Sequence, residues 1–429
     1  MKVLIRGGRL IDPAQGLDGL YDLLLKDGKV ADVSPAGKGK SDVATVIDAD
    51  GLLVIPGIID IHTHLRDPGY EYKEDIESGT LAAAAGGVTA VACMANTKPV
   101  NDNAAITQDI LKKAGDTGHV RVYPIGAMTK GLAGKELAEI ASMKSAGIVA
   151  VSDDGMPVVS SEMMRVGLEY CRPLDLTVIS HPEDLGLSAG GSMNEGYLST
   201  IMGLKGIPRA AEDVMVMRDI ALAQLTGAKL HIAHISTAGI VSLVREAKRR
   251  GIRVTAEAAP HHFSLTEDAV KGYRTDAKMS PPLRESSDIQ AIKEGLKDGT
   301  IDLIATDHAP HSTIEKDVEF DHAANGIIGL ETLLPLTLRL VDEGVLSLTQ
   351  MVEKLSVNPA AIIGVEGGSL KKGMPADITI IDPEMKFKVD RKKMKSKSKN
   401  TPFHGWEMKG KAVYTIVDGK VVYKEDNYD

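Results

Sequence analysis

The sequence predicts an α/β fold: a (β/α)8 TIM-like barrel with a small β-sandwich domain built from both chain termini. Three observations carry this. Eight apolar, strand-like runs alternate with helix-like stretches through the middle of the chain. Both ends are instead rich in short strands and turn signals. Histidines and aspartates recur at the C-terminal ends of several runs, the rim on which such barrels carry their chemistry. The expected boundaries are 1–54 for the first part of the sandwich, 55–365 for the barrel and 366–429 for the remainder. A doubly wound open sheet is the structural alternative, but it needs a switch point and usually has fewer strands.

Taken in order, the N-terminal strands are expected at 3–5, 22–26, 30–33 and 43–48, separated by Gly, Asp and Pro. The barrel runs fall at 58–64, 88–94, 120–125, 148–152, 176–181, 229–235, 252–257 and 301–307. Helical stretches between them include 75–85, 104–114, 136–145, 211–225, 240–249 and 289–296. The closing strands are expected at 377–381, 408–416 and 420–423, the last two joined by an Asp418-Gly419 hairpin turn. The basic run 390–399 reads as a solvated loop. The charged stretch 312–324 reads as mobile and as a candidate lid over the site.

A chain of 429 residues, 43% hydrophobic and 25% charged, is ordinary soluble globular material. Its formal charge of -9 argues against a general nucleic-acid or anionic-membrane binder. No apolar run is long enough to span a bilayer, and the start, Met1-Lys2-Val3-Leu4-Ile5, lacks a signal-peptide core. The two cysteines, Cys93 and Cys171, form neither a disulfide framework nor a CxxC pair, so a reducing cytoplasm is expected.

The sharpest motif is Ile61-His62-Thr63-His64-Leu65. Side chains alternate along a strand, so His62 and His64 face the same way. Two neutral imidazoles on one face make half a metal site, although His-x-His alone is weak evidence. The other strand ends strengthen it: Asp153-Asp154 after the fourth run, His181 after the fifth, His234 after the sixth and Asp307 after the eighth. Burying all of these unpaired would be costly, and a metal centre removes the cost for the whole set. One catalytic zinc uses about three protein ligands, so the inventory suits two Zn2+ ions, with Asp154 or its neighbour Asp153 as bridge and Asp154 preferred. Asp307 can in addition accept and return a proton. His231 has the other strand parity and reads as a core or supporting residue. His261 and His262 remain unassigned, and Cys93 reads as a small buried hydrophobe.

His62-Thr63-His64-Leu65-Arg66-Asp67-Pro68-Gly69, Asn96-Thr97-Lys98-Pro99, Ser152-Asp153-Asp154-Gly155 and Thr306-Asp307-His308-Ala309-Pro310-His311 together resemble bacterial class I dihydroorotase, of the amidohydrolase superfamily. The likeness runs over essentially the whole chain, including Asn400-Thr401-Pro402-Phe403. It implies reversible cyclisation of N-carbamoyl-L-aspartate to L-dihydroorotate, in pyrimidine biosynthesis. It implies that His62, His64 and Asp307 hold one zinc, that His181 and His234 hold the other, and that Asp154 bridges them. The fourth strand offers no lysine for a carboxylated bridge, which fits this class and counts against hydantoinase and dihydropyrimidinase.

The resemblance also implies that Arg66, Asn96 and His311 bind the substrate carboxylate, and that the Asn325-Gly326 loop contacts the ring through its backbone. His64 and Ser280 complete that side. Ser280 departs from the family pattern, which commonly has Asn there; hydantoinase-like relatives often have Ser. Alanine at 95 likewise replaces a common proline before Asn96. A hydantoinase or allantoinase acting on neutral rings is the sister alternative, and an inactive dihydroorotase-like scaffold is the alternative from another class. Homodimers are common in the family, and some class I members associate with aspartate transcarbamoylase.

Overall fold

A computed structural model describes residues 2–38, 45–426 and 428. Eight parallel strands follow one another in chain order: Ile58–Thr63, Val88–Cys93, Arg121–Gly126, Ala150–Ser152, Thr177–Ser180, Leu230–Ile232, Val254–Ala258 and Leu303–Ile304. A parallel bridge between Thr63 and His308 joins the first strand to the residues after the eighth, and the His64 N–H donates to the His308 carbonyl (2.9 Å). The sheet is thereby closed, and the open-sheet alternative falls away. Parallel barrel strands are covered on both faces, which is why they read as continuous apolar runs. An apolar cluster gathers Ile59, Ile61, Ala90, Ala92, Ile125, Ala150, Ile179 and Leu303 from around the barrel. Burying each of the isoleucines contributes roughly 1.5–3 kcal/mol.

Helices Ile76–Ala85, Ala104–Thr117, Ala210–Thr226, Ala238–Arg249 and Ser286–Asp298 lie where their periodicity puts them, while the one expected from 136 starts only at Ile140 and runs to Ala146, Leu137 bridging to Thr129 instead. Ser161–Cys171 and Leu333–Asp342 add to the ring. Starts are locally encoded: Asp75 and Ser78 form a reciprocal capping box on the first of these helices (Oδ1 to the Ser78 N–H, 2.8 Å). No helix among the described residues is long and apolar enough to cross a membrane.

Both termini build the second unit. Lys2–Asp12, Leu17–Lys26, Lys29–Pro35, Thr45–Asp48, Leu53–Pro56, Ile378–Lys388, Glu407–Val417 and Lys420–Lys424 share one continuous sheet, with Leu53–Pro56 hydrogen-bonding both the first strand and Ile378–Lys388. Val43 and Ala44, expected to open the fourth strand, lie outside the described residues. Val3, Ile5, Leu23, Leu25, Ile378, Ile380, Val413 and Ile416 form this unit's own core. Asp418 (φ 49°) and Gly419 (φ 70°) both take the left-handed conformation that a tight two-residue hairpin turn demands.

One expectation is corrected. The basic run is not simply a solvated loop. From Lys395 to Asn400 burial alternates residue by residue, along a backbone that bends at 395–397. Ser396, Ser398 and Asn400 are buried, while Lys395 and Lys397 are exposed. Ser398 Oγ donates to the Lys73 carbonyl (2.6 Å), and the Lys397 N–H donates to Glu74 Oε1 (2.9 Å). The stretch 312–324 is also tied down here. It holds a short helix, Thr313–Lys316, and buried Lys316 donates from Nζ to the carbonyls of Ala324 (2.7 Å) and Lys278 (3.3 Å).

Candidate active site

Six side chains from five strand ends converge at the C-terminal rim. Asp154 lies at their centre. Its Oδ1 is 3.3 Å from His62 Nε2, 3.4 Å from His181 Nδ1 and 3.6 Å from His234 Nε2, and its Oδ2 is 3.4 Å from His64 Nε2. Asp307 Oδ1 is 3.1 Å from His64 Nε2 and 3.5 Å from His62 Nε2. His181 Nδ1 and His234 Nε2 face each other at 2.8 Å. The backbone is strained at the same places: Arg66 (φ 62°), His234 (φ 31°) and Asp307 (φ 46°) are left-handed without being glycine.

The donor set fits metal ions. His62 Nε2 and Asp154 Oδ1 are buried without a hydrogen-bond partner, an expensive state unless a ligand takes them up. His62, His64 and Asp307 form one group able to hold an ion, and His62, Asp154 and His234 another. Imidazole nitrogens with carboxylate oxygens are a zinc-type set. The charges are mutually dependent. Burial alone would lower the His62 imidazole, but Glu257, Asp154 and Asp307 together hold it well above its ordinary value. Burial opposes ionisation of Asp154 too, yet His62, His181 and His234 hold its carboxyl well below the usual range. A dication would supply that positive charge in place of protons.

Geometry separates the two neighbouring aspartates. Asp153 turns away from the imidazoles and accepts from the N–H groups of Met128 (2.8 Å) and Thr129 (3.0 Å) and from the Thr129 hydroxyl. Asp154 alone of the pair faces the cluster. His231 supports from behind, with Nε2 3.0 Å from Glu257 Oε2 and Nδ1 2.8 Å from Thr255 Oγ1. His262 donates from Nε2 to the Pro281 carbonyl (3.0 Å), whereas His261 Nε2 is buried without a partner. Cys93 is buried, which pushes its thiol up to about 12.

Sequence reasoning passed over three carboxylates. Glu257, on the seventh strand, lies 2.5 Å from His62 Nδ1 and accepts the His234 N–H (3.2 Å). Glu183 Oε2 is 3.3 Å from His181 Nε2. Asp60 is fully buried, accepts the N–H groups of His62 (3.1 Å) and Thr306 (3.2 Å), and so ties the first strand to the loop carrying Asp307; burial pushes its carboxyl up to about 7. The available signal was a carboxylate inside an apolar strand, which must have a partner.

Beside the histidine–aspartate cluster stands a cationic corner. Arg66 donates from Nε to the Pro310 carbonyl (3.2 Å), and its second terminal nitrogen lies 3.3 Å from His311 Nε2. Asn96 is partly committed: its Oδ1 is 2.9 Å from His64 Nδ1, and one N–H donates to the Asp154 carbonyl (3.3 Å), leaving a second N–H. Ser280 is half-buried on a segment held by Gly326, whose N–H donates to the Lys278 carbonyl (3.0 Å). Gly326 itself is buried, and Asn325 beside it is exposed.

Known proteins of this architecture carry the comparison further. A Dihydro-orotase-like family model matches residues 51–239, and an Amidohydrolase family model matches 203–423. A dihydroorotase of Syntrophotalea carbinolica is 59% identical over 428 residues, covering 99% of each chain. One of Geobacter metallireducens is 59% identical over 424 residues, covering 99% of this chain and 100% of the relative. Among solved structures, the L-hydantoinase of Arthrobacter aurescens superposes with a TM-score of 0.90 at 28% identity, over 100% of this chain and 97% of that one. Near-complete coverage at this identity leaves no part of the chain unaccounted for: it belongs to the dihydroorotase family of the amidohydrolases.

Proposed function

We propose that the protein is a dihydroorotase that interconverts N-carbamoyl-L-aspartate and L-dihydroorotate, with two Zn2+ ions held by His62, His64, His181, His234 and Asp307 and bridged by Asp154. The observation that carries the reading is a pairing. A carboxylate shared among four imidazoles stands beside a guanidinium–imidazole corner, Arg66 with His311, suited to a substrate carboxylate. Zinc, when bound, supplies a nucleophile from water at neutral pH and polarises the ring amide.

The chain's own residues do the rest. Arg66, His311 and the free N–H of Asn96 bind the substrate carboxylate and fix which face of the ring meets the cluster. Asn325 and Gly326 contact the ring through their backbone, with Ser280 beside them. Asp307 takes the proton of the attacking water at its carboxylate and hands it to the departing ring nitrogen. Ring closure runs the same transfer backwards. Glu257 and Asn96 hold His62 and His64 in their tautomers throughout.

With this activity the protein works in pyrimidine biosynthesis in the cytoplasm, as a homodimer, with aspartate transcarbamoylase as a candidate partner. An exposed apolar stripe supports self-association: Val214, Met217 and Leu225 share one face of Ala210–Thr226. A cyclic-amide hydrolase of hydantoinase type is the second reading, favoured by Ser280 and by the likeness to L-hydantoinase. Turnover of L-dihydroorotate, hydantoin and dihydrouracil on one zinc-quantified preparation decides between them. Preference for L-dihydroorotate is expected; turnover of the neutral rings alone would overturn the assignment.

A further inference from the structure

The C-terminal segment reaches the site from the other unit of the molecule. Asn400 is buried, and its carboxamide is fully used. Nδ2 donates to the carbonyls of Ala309 (2.9 Å) and Gly326 (3.0 Å), and Oδ1 accepts the His311 N–H (3.1 Å). Its own carbonyl accepts the Ile328 N–H (3.0 Å). One side chain thus spans the loop after the eighth strand and the loop through Gly326. The gap it spans is tight. A Cβ on Gly326, whose φ is +156°, would stand 2.6 Å from both the Ala309 carbonyl oxygen and His311 Cδ2.

Two donors and one acceptor in a plane match this cradle, and no other short side chain offers that set. Aspartate would keep the bond from His311 but turn an anion toward two carbonyls. Leucine, nearly the same shape, would keep none of the bonds. Upstream, the same segment is anchored separately: the Ser396 hydroxyl and the Lys397 N–H bind Glu74, which faces His308 at 3.4 Å. That anchor touches neither His311 nor Gly326.

We propose that Asn400 is a positioning residue for substrate recognition, setting the separation of His311 and Gly326 through its three side-chain hydrogen bonds. The proposal rests on the reading that His311 and Gly326 face the substrate. Its consequence is a selective defect. Loosening two loops on the carboxylate side should weaken binding of a carboxylate-bearing ring, while the metal cluster and Asp307, held by other contacts, keep their rate.

The test compares Asn400→Asp, Asn400→Leu and Ser396→Ala with the wild-type holoenzyme. Expected for both Asn400 variants is a KM for L-dihydroorotate raised about tenfold or more, from two or three lost hydrogen bonds, with kcat and zinc content near wild type. Ser396→Ala, which loosens the segment elsewhere, should leave KM unchanged. An unchanged KM in the Asn400 variants, or parallel loss of kcat and zinc in all three, overturns the proposal. Hydrogen exchange gives a readout independent of turnover: the His311 amide should exchange faster in Asn400→Leu but stay protected in Asn400→Asp, and equal protection in both overturns the proposal. Absence of L-dihydroorotate turnover in the zinc-loaded wild type would instead overturn the activity reading, and exchange alone would then decide the role of Asn400.

Discussion

Glu257 Oε1 lies 2.5 Å from His62 Nδ1. The contact fixes a ring proton on Nδ1 and aims Nε2 between Asp154 (3.3 Å) and Asp307 (3.5 Å). The other carboxylate oxygen is 3.0 Å from His231 Nε2. Glu257→Gln removes the negative charge between the two imidazoles and sets an amide N–H against one of them, which weakens the hold on the His62 ring. Zinc affinity is expected to fall roughly 10- to 100-fold, read by competition with a chromogenic chelator. Wild-type affinity in the variant would remove Glu257 from this role.

On the proposed function, Arg66 carries the choice of substrate. Its strained backbone and its contacts with Pro310 and His311 hold the guanidinium at the edge of the cluster. Replacing a charge-assisted pair with nothing costs about 2–4 kcal/mol. Arg66→Ala should therefore lower kcat/KM for L-dihydroorotate by roughly 30- to 1,000-fold. Dihydrouracil, which lacks the carboxylate, should be turned over at nearly the wild-type rate. Full L-dihydroorotate activity in the variant would sink the assignment of Arg66.

The barrel was legible because its strands, covered on both faces, leave long apolar runs, and the metal-ligand types stood out as polar residues ending them. Glu257 and Asp60 obeyed the same logic in reverse, as carboxylates inside apolar runs, and reading them needed the question of what each must pair with. The 395–400 segment was misjudged because net charge hid an alternation in burial: Lys395 and Lys397 face water while Ser396, Ser398 and Asn400 face the protein. Which loops Asn400 would bridge was not legible at all, since His311 and Gly326 come near it only through barrel closure.

The proposed homodimer can be tested at one exposed apolar surface. Val214, Met217 and Leu225 are 41%, 51% and 65% exposed along one face of Ala210–Thr226. Large apolar side chains exposed together on one helix face call for a covering surface. The double variant Met217→Asp, Leu225→Glu should shift the protein from dimer to monomer in light scattering at matched concentration. Its active-site residues are untouched, so zinc content should stay at the wild-type level. A dimer that survives both charges would place the interface elsewhere.

Lys316 makes the stability of the 312–324 segment depend on pH. Burial, with the nearby Lys278 ammonium, pushes its amine down to about 7, against the opposing pull of Asp276 and Glu315. Between pH 7 and the ordinary lysine range near 10.5, the closed segment holds the amine neutral while an opened segment would hold it protonated. Opening therefore takes up a proton, and raising the pH through this window disfavours it, by up to about tenfold per pH unit. Limited proteolysis within 312–324 should slow between pH 7 and pH 9 relative to Lys316→Met, whose side chain fills similar space without titrating. The same pH response in both proteins would show that Lys316 does not govern the opening. The segment follows His311 directly, so a wild-type-specific response would also tie the closure of this loop to the carboxylate side of the site.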